Sequence, residues 1–361
     1  MTLKIGRAKK TVEEIERRSS RRHTDQKKRN GEYANPHRVD DTQPVAEKTN
    51  HKDWKKKQTP ISGHHQTSAA KNRKPSYLAM QSKDPFRCPK KTSCFKLPPP
   101  NTKLPNVIGI LDSGVGGLSV LREIHTLLPG HSLTYIGDSA WCPYGPKSYS
   151  EIQSRVFMLS DWLLAQGAEM IVVACNSATI AAIRTLRNRY DIPFIGMEPG
   201  VKPAAEITRS KTIGVLATEA SLSGEKFRQL VETHAPGLKV ITQPCPKFVQ
   251  LVEAGTLSGP EVTDAILEYT HDMVQAGADT LILGCTHYPF LKSAIEKTIP
   301  NHIQLIDTGP AVARRVSGHH PSKDADPQIH LHTTGPMSEL RRLLPLLCPT
   351  LTASCHSFPL S

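Results

Sequence analysis

Two cysteines occupy equivalent positions in two similar stretches of the chain. Cys175 follows the apolar run 170–174, and Cys285 follows the apolar run 281–284. Such runs are typical of buried strands in a parallel sheet, and polar residues at the carboxyl ends of these strands form the sites of α/β proteins. A nearby histidine or a helix N-terminus can convert a thiol to a thiolate. Two thiols on opposite sides of one carbon could remove a proton from one face and return a proton to the other.

Each cysteine also has a simpler interpretation, because free cysteines are commonly small hydrophobic core residues. Two inert core cysteines would not need the hydrogen-bonding residues that follow them, Asn176-Ser177 in one copy and Thr286-His287 in the other. Disulfide exchange would use a C-x-x-C pair, which is absent from the sequence. Metal ligation would require more histidines or cysteines than the repeat supplies. We therefore expect proton transfer by the thiols, with no metal.

Three further residues could assist the thiols. Asp112 follows a predicted strand, where it could act in the site or simply cap the next helix. His287 could polarise Cys285 or protonate a substrate, and its alternative is a packed loop histidine. Glu253 is by default a surface glutamate on an amphipathic helix, and would be functional if it paired with His287. The glycines of 112–117 match neither a dinucleotide loop nor a Walker loop, but they allow a ligand to approach a helix N-terminus closely.

An internal repeat indicates which elements position these residues. Residues 107–111 match residues 212–216 at an offset of 105, and the two cysteines are 110 residues apart. Alternating strand and helix patterns predict right-handed βαβ units with parallel sheets. The sequence therefore predicts an α/β fold of two pseudo-symmetric parallel-sheet domains that face a central cleft.

The predicted domains are 105–205 together with about 308–350, and 206–307. In the first domain we expect helices at 118–128 and about 149–166. A closing strand is expected at 328–333 and a closing helix at 336–346. We expect the final dozen residues to be frayed.

The N-terminal third has a different composition. Residues 1–104 carry 26 of the 46 Lys and Arg residues and 10 of the 33 Asp and Glu residues, a charge of +16, whereas the rest of the chain carries −3. This polar, basic composition predicts a disordered extension and linker, because it cannot bury enough apolar surface to offset chain entropy. The extension could bind nucleic acid weakly and non-specifically. The simpler expectation is a solvated tail, or a reading frame extended upstream of Met80.

The cellular compartment is predicted from what the sequence lacks. No apolar run reaches the ~18 residues of a membrane span, and the basic N-terminus has no secretory h-region. The eight cysteines do not have the spacing of a small disulfide scaffold, and Cys88 and Cys94 have no second pair that would complete a zinc site. These features favour a reducing cytoplasm and no membrane association.

Residues 107–335 resemble glutamate racemases, the cofactor-independent members of the aspartate/glutamate racemase superfamily. Five motifs carry the resemblance: Asp112-Ser-Gly-Val-Gly-Gly117, Pro143-Tyr-Gly145, Ala174-Cys-Asn176, Glu198-Pro-Gly-Val-Lys-Pro203 and Leu283-Gly-Cys-Thr-His-Tyr-Pro289. The resemblance implies interconversion of L- and D-glutamate for peptidoglycan synthesis in a bacterial cytoplasm, without a cofactor.

The resemblance also implies a role for each matching residue. Cys175 would deprotonate D-glutamate with help from Asp112, and Cys285 would deprotonate L-glutamate with help from His287 and Glu253. The residues implied to hold the substrate are Asp112, Ser113, Tyr144, Gly145, Asn176, Ser177, Thr218, Ser221, Thr286 and His287.

The chain departs from the family pattern at several positions. Ser177 and Ser221 stand where threonine is usual, and both keep a hydroxyl group. Ala217 replaces a usual glycine, and Trp141-Cys142 precede Pro143 unusually. A homodimer and activation by a cell-wall precursor are compatible with the family, but no motif predicts either. The alternatives are a racemase or isomerase of the same superfamily that acts on aspartate or a related acid, and a nucleic-acid- or partner-binding role of 1–104.

Overall fold

The computed structural model describes residues 106–359. The predicted disordered basic extension, residues 1–104, lies outside the described residues. Among the described residues, no helix combines the length and the apolar character that a membrane crossing requires.

The first half of the repeat builds most of a six-stranded sheet. Its strand order is β10-β9-β2-β1-β3-β4, and the pairings within it are parallel. Its strands β1 and β2 are completely buried, as the apolar run 107–111 predicts. The strands are β1 Val107–Asp112, β2 Ser132–Gly137, β3 Ala168–Val173, β4 Phe194–Gly196, β9 Ile329–Thr333 and β10 Ser354–Ser357.

The second half of the repeat builds a four-stranded parallel sheet with the order β6-β5-β7-β8. Strand β5 lies between β6 and β7, as β1 lies between β2 and β3, so the two copies share one local topology. The strands are β5 Thr212–Ala217, β6 Lys239–Pro244, β7 Thr280–Gly284 and β8 Gln304–Asp307.

Helices alternate with the strands in both halves, as right-handed βαβ connections require. They are α1 Leu118–Leu127, α2 Tyr149–Ala165, α3 Asn176–Arg189, α4 Val201–Ile207, α5 Glu219–Leu222, α6 Glu225–His234, α7 Pro246–Ala254, α8 Pro260–Gln275, α9 Lys292–Thr298, α10 Gly309–Ser317 and α11 Met337–Leu347.

The predicted fold class, two parallel-sheet α/β units, is confirmed. The chain returns to the first sheet through β9 and α11 after completing the second. The exact domain limits at 205 and 308 stay a prediction.

The expectation of a frayed C-terminus is wrong for residues 354–358. Strand β10 pairs with β9 and extends the sheet by one strand. The backbone N–H of Phe358 donates to the Thr333 carbonyl at 2.7 Å, and the Phe358 ring packs edge-on against Trp162 with the ring centroids 5.4 Å apart. Phe358 is 6% exposed, so one aromatic side chain anchors an otherwise polar strand.

The glycine and prolines of the 198–203 motif predict a loop, and this prediction is partly wrong, because α4 begins within the motif at Val201. Val201 is fully buried and packs with the core of the second sheet, against residues such as Ile213. This tertiary contact stabilises a short helix that has little local sequence support.

Candidate active site

The two cysteines lie at the carboxyl ends of β3 and β7, and both are buried, with 6% and 7% of their surface exposed. Cys175 is the N-cap of α3, where its Sγ accepts a hydrogen bond from the backbone N–H of Ala178 at 3.5 Å. Burial raises the pKa of Cys175 to about 12, and the charge of Asp112 contributes to the increase. A negative charge on Cys285 also raises this pKa.

Asp112 ends β1 and is fully buried. Its Oδ1 accepts a hydrogen bond from Gly114 N at 2.9 Å, and its Oδ2 accepts one from the Thr286 hydroxyl at 3.1 Å. The N-cap of α1 is Gly117, so the alternative that Asp112 merely caps this helix is wrong. Burial raises the pKa of Asp112, although the positive charge of His287 opposes the increase. Asp112 therefore connects the surroundings of Cys175 to the loop that carries Cys285.

Cys285, His287 and Glu253 form a chain of contacts. His287 Nδ1 lies 3.7 Å from Cys285 Sγ, and His287 Nε2 lies 2.7 Å from Glu253 Oε1. Burial by itself would lower the pKa of His287, but hydrogen bonds with Cys142, Cys285 and Glu253 raise it well above its ordinary value. Burial favours the protonated form of Glu253, but the hydrogen bond and the charge of His287 lower the pKa of the carboxyl group. The pair is therefore an imidazolium and a carboxylate.

The glycine turn of 112–117 lies directly against this pair. A Cβ atom at Gly116 would lie 2.4 Å from His287 Nδ1, and one at Gly114 would lie 2.0 Å from Glu253 Oε1. The backbone N–H of Val115 donates to Glu253 Oε1 at 2.9 Å. The glycines are thus required because the turn of one sheet packs against acid–base groups held by the other.

Hydroxyl groups from both halves meet on the side of Cys175. Ser177 Oγ lies 3.0 Å from Thr218 Oγ1, which lies 2.8 Å from Ser221 Oγ. A Cβ atom at Gly145 would lie 3.6 Å from Thr218 Cβ, so the 143–145 loop reaches the same place. The side chain of Ser113 hydrogen-bonds to Cys175 and slightly offsets the increase in its pKa.

Asn176 is 2% exposed, and among the described residues neither its Oδ1 nor its Nδ2 has a hydrogen-bond partner. A buried amide group without partners is costly, so Asn176 is a position where a bound molecule could supply the hydrogen bonds. Asn176 follows Cys175 directly in the sequence, so its amide group is next to the residue that carries the thiol.

A network around Asp138 holds the 138–145 loop. The Tyr144 hydroxyl donates to Asp138 Oδ2 at 2.6 Å, and Arg155 contacts both carboxylate oxygens, at 2.9 and 2.6 Å. The Thr334 hydroxyl donates to Asp138 Oδ1 at 2.8 Å. In this arrangement the Tyr144 hydroxyl is engaged by Asp138, which is itself fully buried. The substrate contact that the resemblance implies for Tyr144 stays a prediction, and in this structure its hydroxyl anchors the loop to Asp138.

Asp138, Arg155 and Cys142 were not among the predicted site residues. Asp138 follows β2 as Asp112 ends β1, and this parallel was the signal available for it. Cys142 donates to Glu253 Oε1 at 3.4 Å, and burial raises the pKa of its thiol to about 11. A third thiol therefore contacts the His287–Glu253 pair.

The structure brings the predicted residues together in two groups. One group surrounds Cys285 and contains Asp112, Thr286, His287 and Glu253. The other lies beside Cys175 and contains Ser113, Gly145, Asn176, Ser177, Thr218 and Ser221.

Known proteins resemble this chain in sequence and fold. Residues 108–316 match the profile of the Asp/Glu/Hydantoin racemase family. A glutamate racemase from Ectopseudomonas mendocina is 48% identical over 246 residues, which cover 66% of this chain and 94% of that protein.

Two solved structures have the same architecture. A glutamate racemase isoform from Bacillus anthracis matches with a TM-score of 0.64 and 33% identity, covering 72% of this chain and 99% of the other. The Escherichia coli glutamate racemase, solved with L-glutamate and the activator UDP-MurNAc-Ala, matches with a TM-score of 0.65 and 30% identity, covering 71% and 98%. The chain belongs to the Asp/Glu/Hydantoin racemase family and, within it, to the glutamate racemases.

Proposed function

We propose that the chain interconverts L- and D-glutamate by proton transfer between Cα and two thiols, Cys175 and Cys285. One observation carries this mechanism: two buried thiols end equivalent strands, and each has its own acid–base neighbour. Asp112 acts on Cys175, and the His287–Glu253 pair contacts Cys285. The product D-glutamate supplies peptidoglycan synthesis, which is the known role of glutamate racemases.

The reaction is balanced by the two thiols alone. When L-glutamate is bound, the Cys285 thiolate removes the α-proton while the Cys175 thiol donates a proton to the opposite face. The Cα–H bond breaks on one side and a new one forms on the other, leaving a thiol at 285 and a thiolate at 175. The same steps in reverse convert D-glutamate.

An α-proton beside a carboxylate is far less acidic than a thiol, so the site must stabilise the negative charge that develops at Cα and the carboxylate. Placed hydrogen-bond donors in a dry site achieve this. One candidate is the amide of Asn176, which has no partner among the described residues. A second is the hydroxyl of Thr286, which would exchange its bond to Asp112 for a bond to the substrate; both residues are 2% exposed. Burial of Cys175, which raises its pKa, also makes its thiolate a stronger base once it has formed.

The remaining predicted substrate contacts are assigned by their position beside Cys175. The hydroxyls of Ser113, Ser177, Thr218 and Ser221 would hold the substrate's side-chain carboxylate and amine, together with the backbone N–H of Gly145. The distances of 3.0 Å between the Ser177 and Thr218 hydroxyls and 2.8 Å between the Thr218 and Ser221 hydroxyls indicate groups that a carboxylate could bridge.

The test combines isotope exchange with single substitutions. In deuterated water, each enantiomer should gain solvent label mainly as it inverts, because the thiol that donates is not the thiol that abstracts. Cys175→Ala and Cys285→Ala should each abolish racemisation, and Cys355→Ala, a half-buried thiol on β10, is the matched control. Near-normal turnover in either active-site variant would contradict the two-thiol mechanism.

Three partner properties belong to this proposal: an activator, a homodimer and nucleic-acid binding by residues 1–104. The Escherichia coli relative was solved with UDP-MurNAc-Ala as activator. Racemase assays with and without that compound, combined with measurement of molecular mass in solution, would test whether this chain requires an activator and forms a homodimer. Loss of salt-sensitive DNA binding on deletion of 1–104, with racemisation intact, would assign nucleic-acid binding to that segment.

A further inference from the structure

His287 and two neighbouring side chains bring three metal-binding atoms close together. Cys142, Glu253 and His287 each present one such atom, and the three atoms lie within 4.8 Å of one another. Cys142 Sγ is 3.4 Å from Glu253 Oε1, which is 2.7 Å from His287 Nε2. Thiolate, carboxylate and imidazole are the three ligand types that proteins use for zinc.

We propose that Cys142, Glu253 and His287 bind a zinc ion, and that zinc bound there inhibits racemisation. Binding is independent of the mechanism proposed above, whereas the inhibition rests on it, because it requires His287 to serve Cys285. Three protein ligands leave the fourth tetrahedral position to water, as in other open zinc sites.

The distances suit a tetrahedral ion after a small adjustment. Zinc bonds of about 2.0–2.3 Å place neighbouring ligand atoms roughly 3.2–3.7 Å apart. The separation of 3.4 Å between Cys142 Sγ and Glu253 Oε1 already falls in this range. The separation of 2.7 Å between Glu253 Oε1 and His287 Nε2 would have to increase by about 0.5 Å. In the zinc-bound form the ion would take the place of the proton that these two atoms now share.

The surroundings hold the ligands and leave a path for the ion. The Val115 N–H fixes Glu253, and Gly114 leaves space where a Cβ would lie 2.8 Å from Cys142 Sγ. Glu253 is 25% exposed at its side chain and Cys142 is half-buried, so the ion can enter from solvent without unfolding.

Zinc at this position would act through His287. The ion would occupy Nε2 and Glu253, while Nδ1 continues to face Cys285 at 3.7 Å. His287 could then no longer exchange a proton with Glu253 and would lose its support for the proton transfers of Cys285. A bound ion would therefore slow turnover without contacting the substrate.

The test uses the full-length protein and cobalt(II) as a spectroscopic probe. Cobalt bound to a thiolate gives a near-ultraviolet charge-transfer band, which we expect in the wild-type protein at one equivalent and not in Cys142→Ser. Cys355→Ser should keep the band. Zinc should inhibit the wild-type racemase reversibly on addition of a chelator, and Cys142→Ser should be less sensitive by about tenfold or more, the size of effect typical of damaged metal sites.

The alternatives give different results. A band that persists in both Cys142→Ser and Cys142→Ala, but disappears in Cys175→Ala or Cys285→Ala, would place the ion on the catalytic thiols and overturn the proposal. Absence of the band in the wild-type protein would overturn it as well. Failure of the two-thiol mechanism would instead appear as activity of the cysteine-to-alanine variants in metal-free buffer, so the two failures are distinguishable.

Discussion

Replacement of Glu253 by glutamine tests the acid–base pair that serves Cys285. The variant keeps the shape of the side chain but removes the negative charge 2.7 Å from His287 Nε2. Hydrogen bonds to charged groups contribute about 1.5–3 kcal/mol. Since the Glu253 side chain is 25% exposed, solvent screening reduces the expected loss to about 1–2 kcal/mol. That loss corresponds to a decrease in kcat/KM of roughly 5- to 30-fold.

The decrease must be the same in both directions. The two enantiomers have equal free energy in water, so the ratio of their kcat/KM values is fixed by an equilibrium constant of one. The measurement is therefore kcat/KM for L- and for D-glutamate, and any asymmetry of the pair appears in kcat and KM separately. Glu261→Gln, which removes an exposed charge 3.3 Å from Lys247, is the matched control and should change kcat/KM little.

The pH profile provides a second readout. Glu253 is one of the groups that raise the pKa of His287, after Cys142 and Cys285. Loss of its charge lowers that pKa, so the alkaline limb of the kcat/KM profile should shift to lower pH. A profile that stays in place, or a kcat/KM within about twofold of wild type, would refute the reasoning, because a loss of about 1–2 kcal/mol should produce both effects.

Three other substitutions test the packing around the site and the sheet edge. Gly116→Ala places a Cβ 2.4 Å from His287 Nδ1, and it should reduce kcat/KM by about a hundredfold and lower the free energy of unfolding by about 1–3 kcal/mol. The control is Gly130→Ala, whose Cβ would meet no atom of the described residues within 4 Å, and it should change neither kcat/KM nor stability. Burial, with smaller contributions from neighbouring histidines, lowers the pKa of His332 to about 3, so the folded state resists its protonation and stability should fall as pH drops from about 6.5 towards about 3. Denaturant titrations at pH 7 and 5 should show a decrease of about 1–2 kcal/mol in the wild-type protein that is absent in His332→Phe, and equal decreases in both would exclude His332 as the cause. Phe358→Ala should lower the free energy of unfolding by about 3 kcal/mol, and an effect below about 0.5 kcal/mol would mean that β10 does not hold the sheet edge.

Strand positions were predictable where burial on both faces leaves a continuous apolar run. Residues 107–111 and 281–284 are of this kind. Each run has a counterpart in the other half of the chain, and these two matches predicted the two sheets and the equivalent positions of the two cysteines. Strand β10 has the sequence Ser-Cys-His-Ser, without apolar alternation, and depends on Phe358 for its burial. Such a strand exists because of tertiary contacts, which sequence periodicity does not report.

The candidate site, like the strands, was predictable only in part. Cys175 and Cys285 were identifiable because they follow matched strands, β3 and β7, in the two copies of the repeat. The pairing of Glu253 with His287 could be stated only as a condition, because it joins helix α7 to a loop 34 residues later. The contacts of Asp138 with Arg155 and Thr334 span 17 and 196 residues, so no local pattern could have indicated them.

The two thiols are matched in position but not in electrostatics. Asp112 and burial favour the proton on Cys175, whereas the imidazolium of His287 places a positive charge beside Cys285. In the proposed two-thiol mechanism, each turnover leaves the proton on the opposite thiol, and the enzyme must restore the starting form before it can accept the same enantiomer again. The hydrogen bond from Thr286 to Asp112 connects the surroundings of Cys285 to those of Cys175. A change in the charge of Asp112 therefore affects groups beside both thiols. Because the enantiomers are equal in free energy, this asymmetry cannot favour either product. Its effect must be on which protonation form of the free enzyme predominates, and therefore on which enantiomer binds first without a prior proton shift.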